Sequence, residues 1–297
     1  MKTKIRARKK ITAFDAVVYA IGIALLLIVG YPLILVLSNS FSSPQMVATG
    51  QVLFLPKGIN LEGYKAVFQD SSILTGYANT IFYTVCKTLL GLAVTLPAGY
   101  AMTKSQLPGR NFFMAMFMIT MYFSGGLIPT FLQMQKYGLY NTRWAIILMG
   151  VFSTYNCIIC RSFFAGLPKE LEEAAEIDGC SPMKTFIKII LPLSKALLGV
   201  MVLYEAVGQW NAYMDCLIYI KDDSMQSLQV ILRRILLLAQ TAMNSEGVEG
   251  EYATMLADRE ALLRYSAMVV SSVPLLVVYP FLQKYFDKGV LIGSVKG

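Results

Sequence analysis

Leu167–Pro192 reads LPKELEEAAEIDGCSPMKTFIKIILP, the one long charged interruption between strongly apolar segments in the second half of the chain. Lys169, Glu170, Glu172, Glu173, Glu176 and Asp178 fall within ten residues. At roughly 2.5–3.5 kcal/mol per charge at a bilayer centre, burying all six in hydrocarbon costs on the order of 15 kcal/mol or more. The stretch therefore lies outside the membrane, yet it is patterned as structure. Pro168 suits the first turn of a helix, and the acidic residues behind it suit the positive end of the helix dipole. Leu167, Leu171, Ala174 and Ala175 share one face at i, i+4, i+7 and i+8. Gly179 falls where a left-handed C-terminal cap is wanted. Ser181-Pro182 reads as the N-cap and first position of a second helix, with Met183, Phe186, Ile187 and Ile190 on one face and Pro192 closing it. A helix pair lying on lipid headgroups is one reading of this pattern.

The rest of the chain demands a membrane. Of 297 residues 56% are hydrophobic and only 15% charged, with a mean hydropathy of +0.57, which suits a polytopic membrane protein rather than a soluble domain. The net charge of +8 would point to nucleic acid in a soluble protein; here the bias of basic residues toward cytoplasmic segments accounts for it. Cys157-x-x-Cys160 has redox spacing but sits in an apolar run, so a packing role is expected for it. The sequence contains no histidine, which removes histidine acid/base chemistry and histidine metal ligation, and no metal site is expected. It has no G-x-x-x-x-G-K-[ST] loop, so ATP hydrolysis by this chain is not expected, nor is any catalytic residue.

Apolar runs place six spans at about 14–37, 75–101, 111–133, 141–164, 193–220 and 262–282. The first run follows six basic residues in Met1–Lys10 but is too long for the core of a signal peptide. Residues 38–74 read as an outside loop, and Ser124–Pro129 as a break inside the third span. Leu228–Leu238 is a further amphipathic helix, and Asn244–Glu251 a Gly/Glu link. The expected fold is an all-α membrane protein: one domain over residues 1–297, six transmembrane helices, and the two-helix loop 167–192 between spans four and five. With six spans, sixteen lysines and arginines fall on the side of the termini and this loop, against nine on the other. That places both termini and the loop in the cytoplasm.

Span five carries Glu205, Gln209, Asn211 and Asp215 beside Trp210, over an arc of roughly 160°. Carboxylates facing lipid would cancel much of the insertion energy of their neighbours, so they face the bundle interior or a solute path. Asn156 on span four is expected in the same region. An interhelical hydrogen-bond network and a translocation path both satisfy this pattern. Sugars bind aromatic faces and hydrogen-bonding groups, which makes Gln209, Trp210 and Asn211 a lining suited to them.

Glu173-Ala174-Ala175, Gly179 and Ile189-x-Leu191-Pro192 together resemble the coupling loop of ATP-binding-cassette importer permeases, with every fixed position present and Asp178 just ahead of the glycine. The resemblance implies that the loop docks into a separate ATPase, that Glu173 meets a basic residue there, and that Ala174 and Ala175 allow close approach. Phe123–Pro129, Gly138–Trp144, Gly208–Asn211 and Lys288–Gly297 narrow it to the maltose-type carbohydrate permeases, in the polysaccharide- and aldouronate-uptake branch. Two departures are visible: Cys180 where alanine is usual, and Met149-Gly150 where a proline is expected. The implied setting is a bacterial plasma membrane, with two ATPase subunits or an ATPase homodimer holding ATP and Mg. A second permease, an extracellular solute-binding lipoprotein, an oligosaccharide substrate and membrane lipid complete it, without nucleic acid and without a cofactor in this chain. Residue chemistry alone leaves open an importer of amino acids or peptides, or an ion-coupled secondary transporter. The latter should show broken helices at matching positions of two inverted repeats, and the sequence offers one clear break.

Overall fold

The computed structural model describes residues 12–243 and 263–280, and every regular element among them is helical. The chain divides into two compact units: residues 1–69 with 236–270, and residues 70–235 with 271–297.

The first unit opens with α1 (Ala13–Ser40). Its start is fixed by a capping box in which the Thr12 hydroxyl accepts from the Asp15 amide at 3.2 Å and the Asp15 carboxylate accepts from the Thr12 amide at 2.9 Å. The most apolar window of α1 has a mean hydropathy of 2.7, and none of it is buried among the described residues. A helix apolar on all sides needs lipid or another subunit around it. Residues 38–74, expected as a loop, are folded. They contain α2 (Pro44–Ala48) and α3 (Glu62–Gln69), tied to the end of α1 by side chains. Ser38 donates to the Phe54 carbonyl at 2.6 Å, and Ser42 accepts from the Lys57 amide at 3.1 Å. Hydroxyls bonding nearby backbone supply what the sequence pattern could not display.

The second unit is built on α4 (Ser71–Ala101), capped by Asp70, which accepts from the Ser72 amide at 2.8 Å. Neighbours come close to it at glycines: a Cβ on Gly99 would stand 2.5 Å from that of Cys160. The expected third span is two helices, α5 (Arg110–Tyr122) and α6 (Leu127–Lys136), bent by 115° at the anticipated break, where Gly126 has φ +87°. The expected fourth span is also divided, into α7 (Arg143–Leu148) and α8 (Thr154–Ala165), with Gly150 at φ +66° between them. Neither piece has the roughly 20 residues a crossing helix needs.

Next come α9 (Glu170–Ile177), α10 (Pro182–Leu193) and α11 (Lys195–Asn211), the last ending well short of the expected residue 220. A short α12 (Met214–Tyr219) takes up the remainder. The amphipathic α13 (Leu228–Met243) is longer than its pattern implied, and α14 (Leu263–Pro280) is the last described helix. By length and composition α1, α4 and α14 can each cross a bilayer, and the bent pairs α5/α6 and α10/α11 raise the count to five among the described residues. Met1–Lys10, Asn244–Glu251, Lys288–Gly297 and the ends of the expected sixth span lie outside the described residues.

Two buried clusters sit toward opposite ends of α4. One joins Tyr83 to Ile146, Ile147, Cys216, Ile220 and Val230; the other joins Leu96 and Tyr100 to Cys160, Phe164, Phe186 and Ile190. Near the first, Asn141 (φ +56°) accepts from the amides of Lys221 and Asp222 at 2.8 and 2.9 Å. Tyr83 donates to the Met225 carbonyl at 2.7 Å, and Asn79 donates to those of Ser224 and Gln226. Asn141 of the Gly138–Trp144 motif thus pins residues 221–222, while α4 side chains hold residues 224–226. Cys157 and Cys160 are buried and unpaired, in keeping with a packing role.

Candidate functional site

The charged loop folds as two helices around a glycine corner. Three glutamates, Glu170, Glu172 and Glu173, occupy the first turn of α9, where unsatisfied amides favour negative charge. The helix starts two residues after Pro168 rather than at it. It closes with a full Schellman arrangement: Gly179 has φ +72°, its amide donates to the Glu176 carbonyl at 3.0 Å, and the Cys180 amide donates to that of Ala175 at 2.9 Å. Ser181 then caps α10, accepting from the Lys184 amide, with Pro182 in the first position.

The apolar faces split where the sequence pattern joined them. Ala175 is buried while Ala174 is exposed. On α10, Phe186 and Ile190 are buried while Met183 and Ile187 are exposed, because Phe186–Ile190 forms a π-helical turn that rotates the face. Pro192 does not end α10, which runs through Leu193. The turn comes at the buried Ser194, whose hydroxyl donates to the Ile190 carbonyl at 2.8 Å, and α11 leaves at 86°. Glu173, Ala174, Asp178 and Gly179 are all exposed, and Ile189 and Leu191 are half-buried.

Two features of this loop escaped sequence reasoning. Ile177 is 87% exposed; its failure to join the Leu167–Leu171–Ala175 face was the available signal. Lys104, in the turn after α4, forms an ion pair with Glu172 and lies over the Tyr100 ring, 4.3 Å from its centroid. Nothing in a separation of 68 residues announces that pair. Burial pulls the Lys104 ammonium down, but hydrogen bonds and charge from Glu172 and Tyr100 outweigh it and hold the group above its ordinary value. A polar cleft of about 460 Å³ runs between this turn and α9, with Lys104, Arg110, Glu172, Glu173 and Glu176 on its walls.

A second polar site lies among α4, α8 and α11. The Asn156 amide donates to the Glu205 carboxylate at 2.8 Å, bringing together two residues that the sequence placed in one region. Gly91 makes room for it: a Cβ there would stand 3.3 Å from that carboxylate and from the Val151 carbonyl. Lys87, whose only sequence cue was a lysine inside a span, is within electrostatic reach of both Glu205 and Asp215.

The other three expected lining residues diverge. Trp210 is 4% exposed and donates to the Ser271 carbonyl at 3.1 Å. Gln209 is buried, with no hydrogen bond to Oε1 among the described residues, and Asn211 is exposed and donates back to Val207. Beside Asn156 an open groove of about 730 Å³ is instead bordered by Tyr155, Tyr204, Tyr279 and Gly208. Aromatic faces next to an amide are the combination that sequence reasoning sought at Trp210.

The chain has recognisable relatives among known proteins. Residues 71–292 match the family model described as binding-protein-dependent transport system inner membrane component, starting at the first residue of α4. The chain is 39% identical to Protein LplC of Bacillus subtilis (strain 168) over 267 residues, 90% of this chain and 89% of that one. It is 35% identical to the polygalacturonan/rhamnogalacturonan transport system permease protein YtcP of the same organism, over 96% of this chain and 98% of that one. A solved bacterial ABC transporter involved in the import of the acidic polysaccharide alginate contains a chain with a TM-score of 0.81 and 31% identity, covering 95% of this chain and 100% of that one.

Proposed function

The chain belongs to the family of binding-protein-dependent transport system inner membrane components, and from that premise we propose that it is the membrane-spanning permease of an ATP-driven oligosaccharide importer. The observation that carries this reading is the form of the α9–α10 loop: a capped acidic helix and an exposed glycine corner, turned 86° from the membrane helix that follows. Such a loop presents Glu173, Ala174, Ile177 and Gly179 outward, where an ATPase surface can cover them. Glu173 and Glu176 border the cleft beside α9 and offer carboxylates to a basic side chain from the ATPase. Ile189, Leu191 and Pro192 shape the exit toward α11, and Asp178 precedes the corner.

In this reading the loop is cytoplasmic, both termini lie on its side, and the chain crosses the bilayer six times, with α7 and α8 together forming the fourth crossing. Two ATPase subunits bind ATP and Mg, a second permease completes the path, and an extracellular binding protein delivers the solute. Hydrolysis resets a two-state bundle between inward and outward openings. Carbohydrate is favoured by relatives whose names specify polygalacturonan/rhamnogalacturonan and arabinooligosaccharides. The tyrosine-lined groove at Asn156 supplies surfaces that suit sugar rings.

The test is uptake of labelled oligosaccharides by vesicles carrying this permease with its partner subunits. Uptake that needs ATP inside and the ATPase subunits supports the reading. Uptake in ATP-depleted vesicles driven by an imposed ion gradient contradicts it.

A further inference from the structure

A docked coupling loop moves the permease only through whatever it grips inside the chain. Two grips are visible, and both close on the same end of α4. The first holds α9: Glu172 pairs with Lys104, three residues past the end of α4, and Lys104 lies over the Tyr100 ring. The second holds α10: Phe186 stacks on that Tyr100 ring, with centroids 5.0 Å apart and planes at 29°. Phe164, near the end of α8, closes edge-on against both rings at 5.9 and 6.1 Å. Tyr100, Phe164 and Phe186 are all buried, and the Lys104 and Glu172 side chains are 32% and 29% exposed.

The covalent routes out of the loop are bends by comparison. Residues 166–169 turn before α9, and the chain turns by 86° at Ser194 after α10. A close-packed interface transmits displacement because its side chains have nowhere to yield, whereas a bend absorbs it in a few dihedrals. Nine residues along α4 from Tyr100, about 13.5 Å at 1.5 Å per residue, is Gly91, where Glu205 rests. One helix therefore links the grip on the loop to the polar site in the membrane.

We propose that Tyr100 and Lys104 form a two-point clamp that makes α4 the helix driven by the coupling loop. Tyr100 takes up the movement of α10 through Phe186, and Lys104 takes up that of α9 through Glu172. The displacement then reaches the Asn156–Glu205 contact along α4 rather than through the Ser194 bend. Both are positioning residues, acting through the helices they hold. The clamp rests on the ATP-driven reading of the chain. A partly exposed ion pair shifts an equilibrium by roughly two- to fivefold, so Lys104 tunes coupling while the buried aromatic stack bears most of the load.

The experiment uses the complete transporter in proteoliposomes, with ATP hydrolysed and solute accumulated measured in the same vesicles. Lys104→Ala and Glu172→Ala should each raise ATP consumed per solute by roughly two- to fivefold, with assembly unchanged. The double alanine variant should be no worse than either single one. Lys104→Arg, and the exchange of Lys104→Glu with Glu172→Lys, should restore the ratio. Tyr100→Leu, which keeps an apolar side chain in the cluster but removes the stack, should uncouple more strongly.

A wild-type ratio in Lys104→Ala, or single effects that multiply in the double variant and resist the exchange, would overturn the clamp alone. Wild-type vesicles that accumulate solute without consuming ATP would overturn the importer reading and the clamp with it.

Discussion

Asn156 on α8 and Glu205 on α11 are joined by a hydrogen bond of 2.8 Å, across the face of α4 that Gly91 leaves open. The bond holds the carboxylate where α4, α8 and α11 come together. Replacing Asn156 with leucine removes its donor. A hydrogen bond to a charged group contributes roughly 1.5–3 kcal/mol, so Asn156→Leu should lower the thermal midpoint of the detergent-solubilised protein. Glu205→Gln keeps an acceptor oxygen in place and should cost much less; equal losses in both variants would contradict the pairing.

Two glycines should fail for different reasons. A Cβ at Gly99 meets Cys160 at 2.5 Å and the Arg161 amide nitrogen at 3.1 Å, so Gly99→Ala forces α4 and α8 apart at a cost of about 1–3 kcal/mol. Gly179 has open space around it but φ +72°, so Gly179→Ala carries about 1–2 kcal/mol of backbone strain alone. Gly179→Asn should recover much of that loss because asparagine enters the left-handed region more readily, whereas Gly99→Asn should be worse than Gly99→Ala. Thermal midpoints of the four variants check both assignments.

Trp210 and Tyr204 should separate packing from passage. Trp210 is buried and hydrogen-bonded to Ser271, and it meets Tyr77 edge-on at 6.2 Å. Trp210→Ala should therefore destabilise the protein by roughly 3–5 kcal/mol and reduce the amount assembled. Tyr204, exposed beside the groove, should tolerate Tyr204→Ala in assembly and lose uptake. Normal uptake by assembled Tyr204→Ala would remove the groove from the solute path.

The Lys104–Glu172 pair makes a pH prediction at the alkaline end. The Lys104 ammonium is held above its ordinary value of 10.5 in the folded chain. Its contribution is therefore complete below that value and is lost as pH rises through the folded one. Wild-type and Lys104→Ala proteins should show a constant difference in thermal midpoint up to about pH 10, narrowing above it. A difference that instead vanishes between pH 5 and 8 would assign the effect to another group.

The charged loop was the most legible part of this chain, and for a physical reason. The six charges between Lys169 and Asp178, the prolines and the glycine corner are local features, and local rules place Ser181 and Gly179 in the caps they occupy. The splitting of its apolar faces was not legible. The π turn at Phe186–Ile190 alters the period on which face assignment depends, and the i, i+4 pattern at Leu167–Ala175 cannot tell which alanine is covered. The third-span break was readable from Gly125-Gly126-Pro129, whereas its 115° angle follows from packing. Met149-Gly150 marked an irregularity in the fourth span without revealing that it ends one helix and precedes another. The Asn156–Glu205 region was found because polar residues in an apolar helix must face something. Trp210 was assigned to the lining on chemistry alone, and its bond to Ser271 depends on tertiary structure that no spacing encodes.

The most direct measurement replaces Ile177, at the exposed tip of α9, with a photo-reactive amino acid and irradiates intact membranes containing the assembled transporter. The account predicts a covalent adduct with the ATP-hydrolysing subunit, weakened by Gly179→Val at the adjacent corner. Adducts confined to lipid, or labelling of position 177 by a membrane-impermeant reagent added outside the cell, would contradict it.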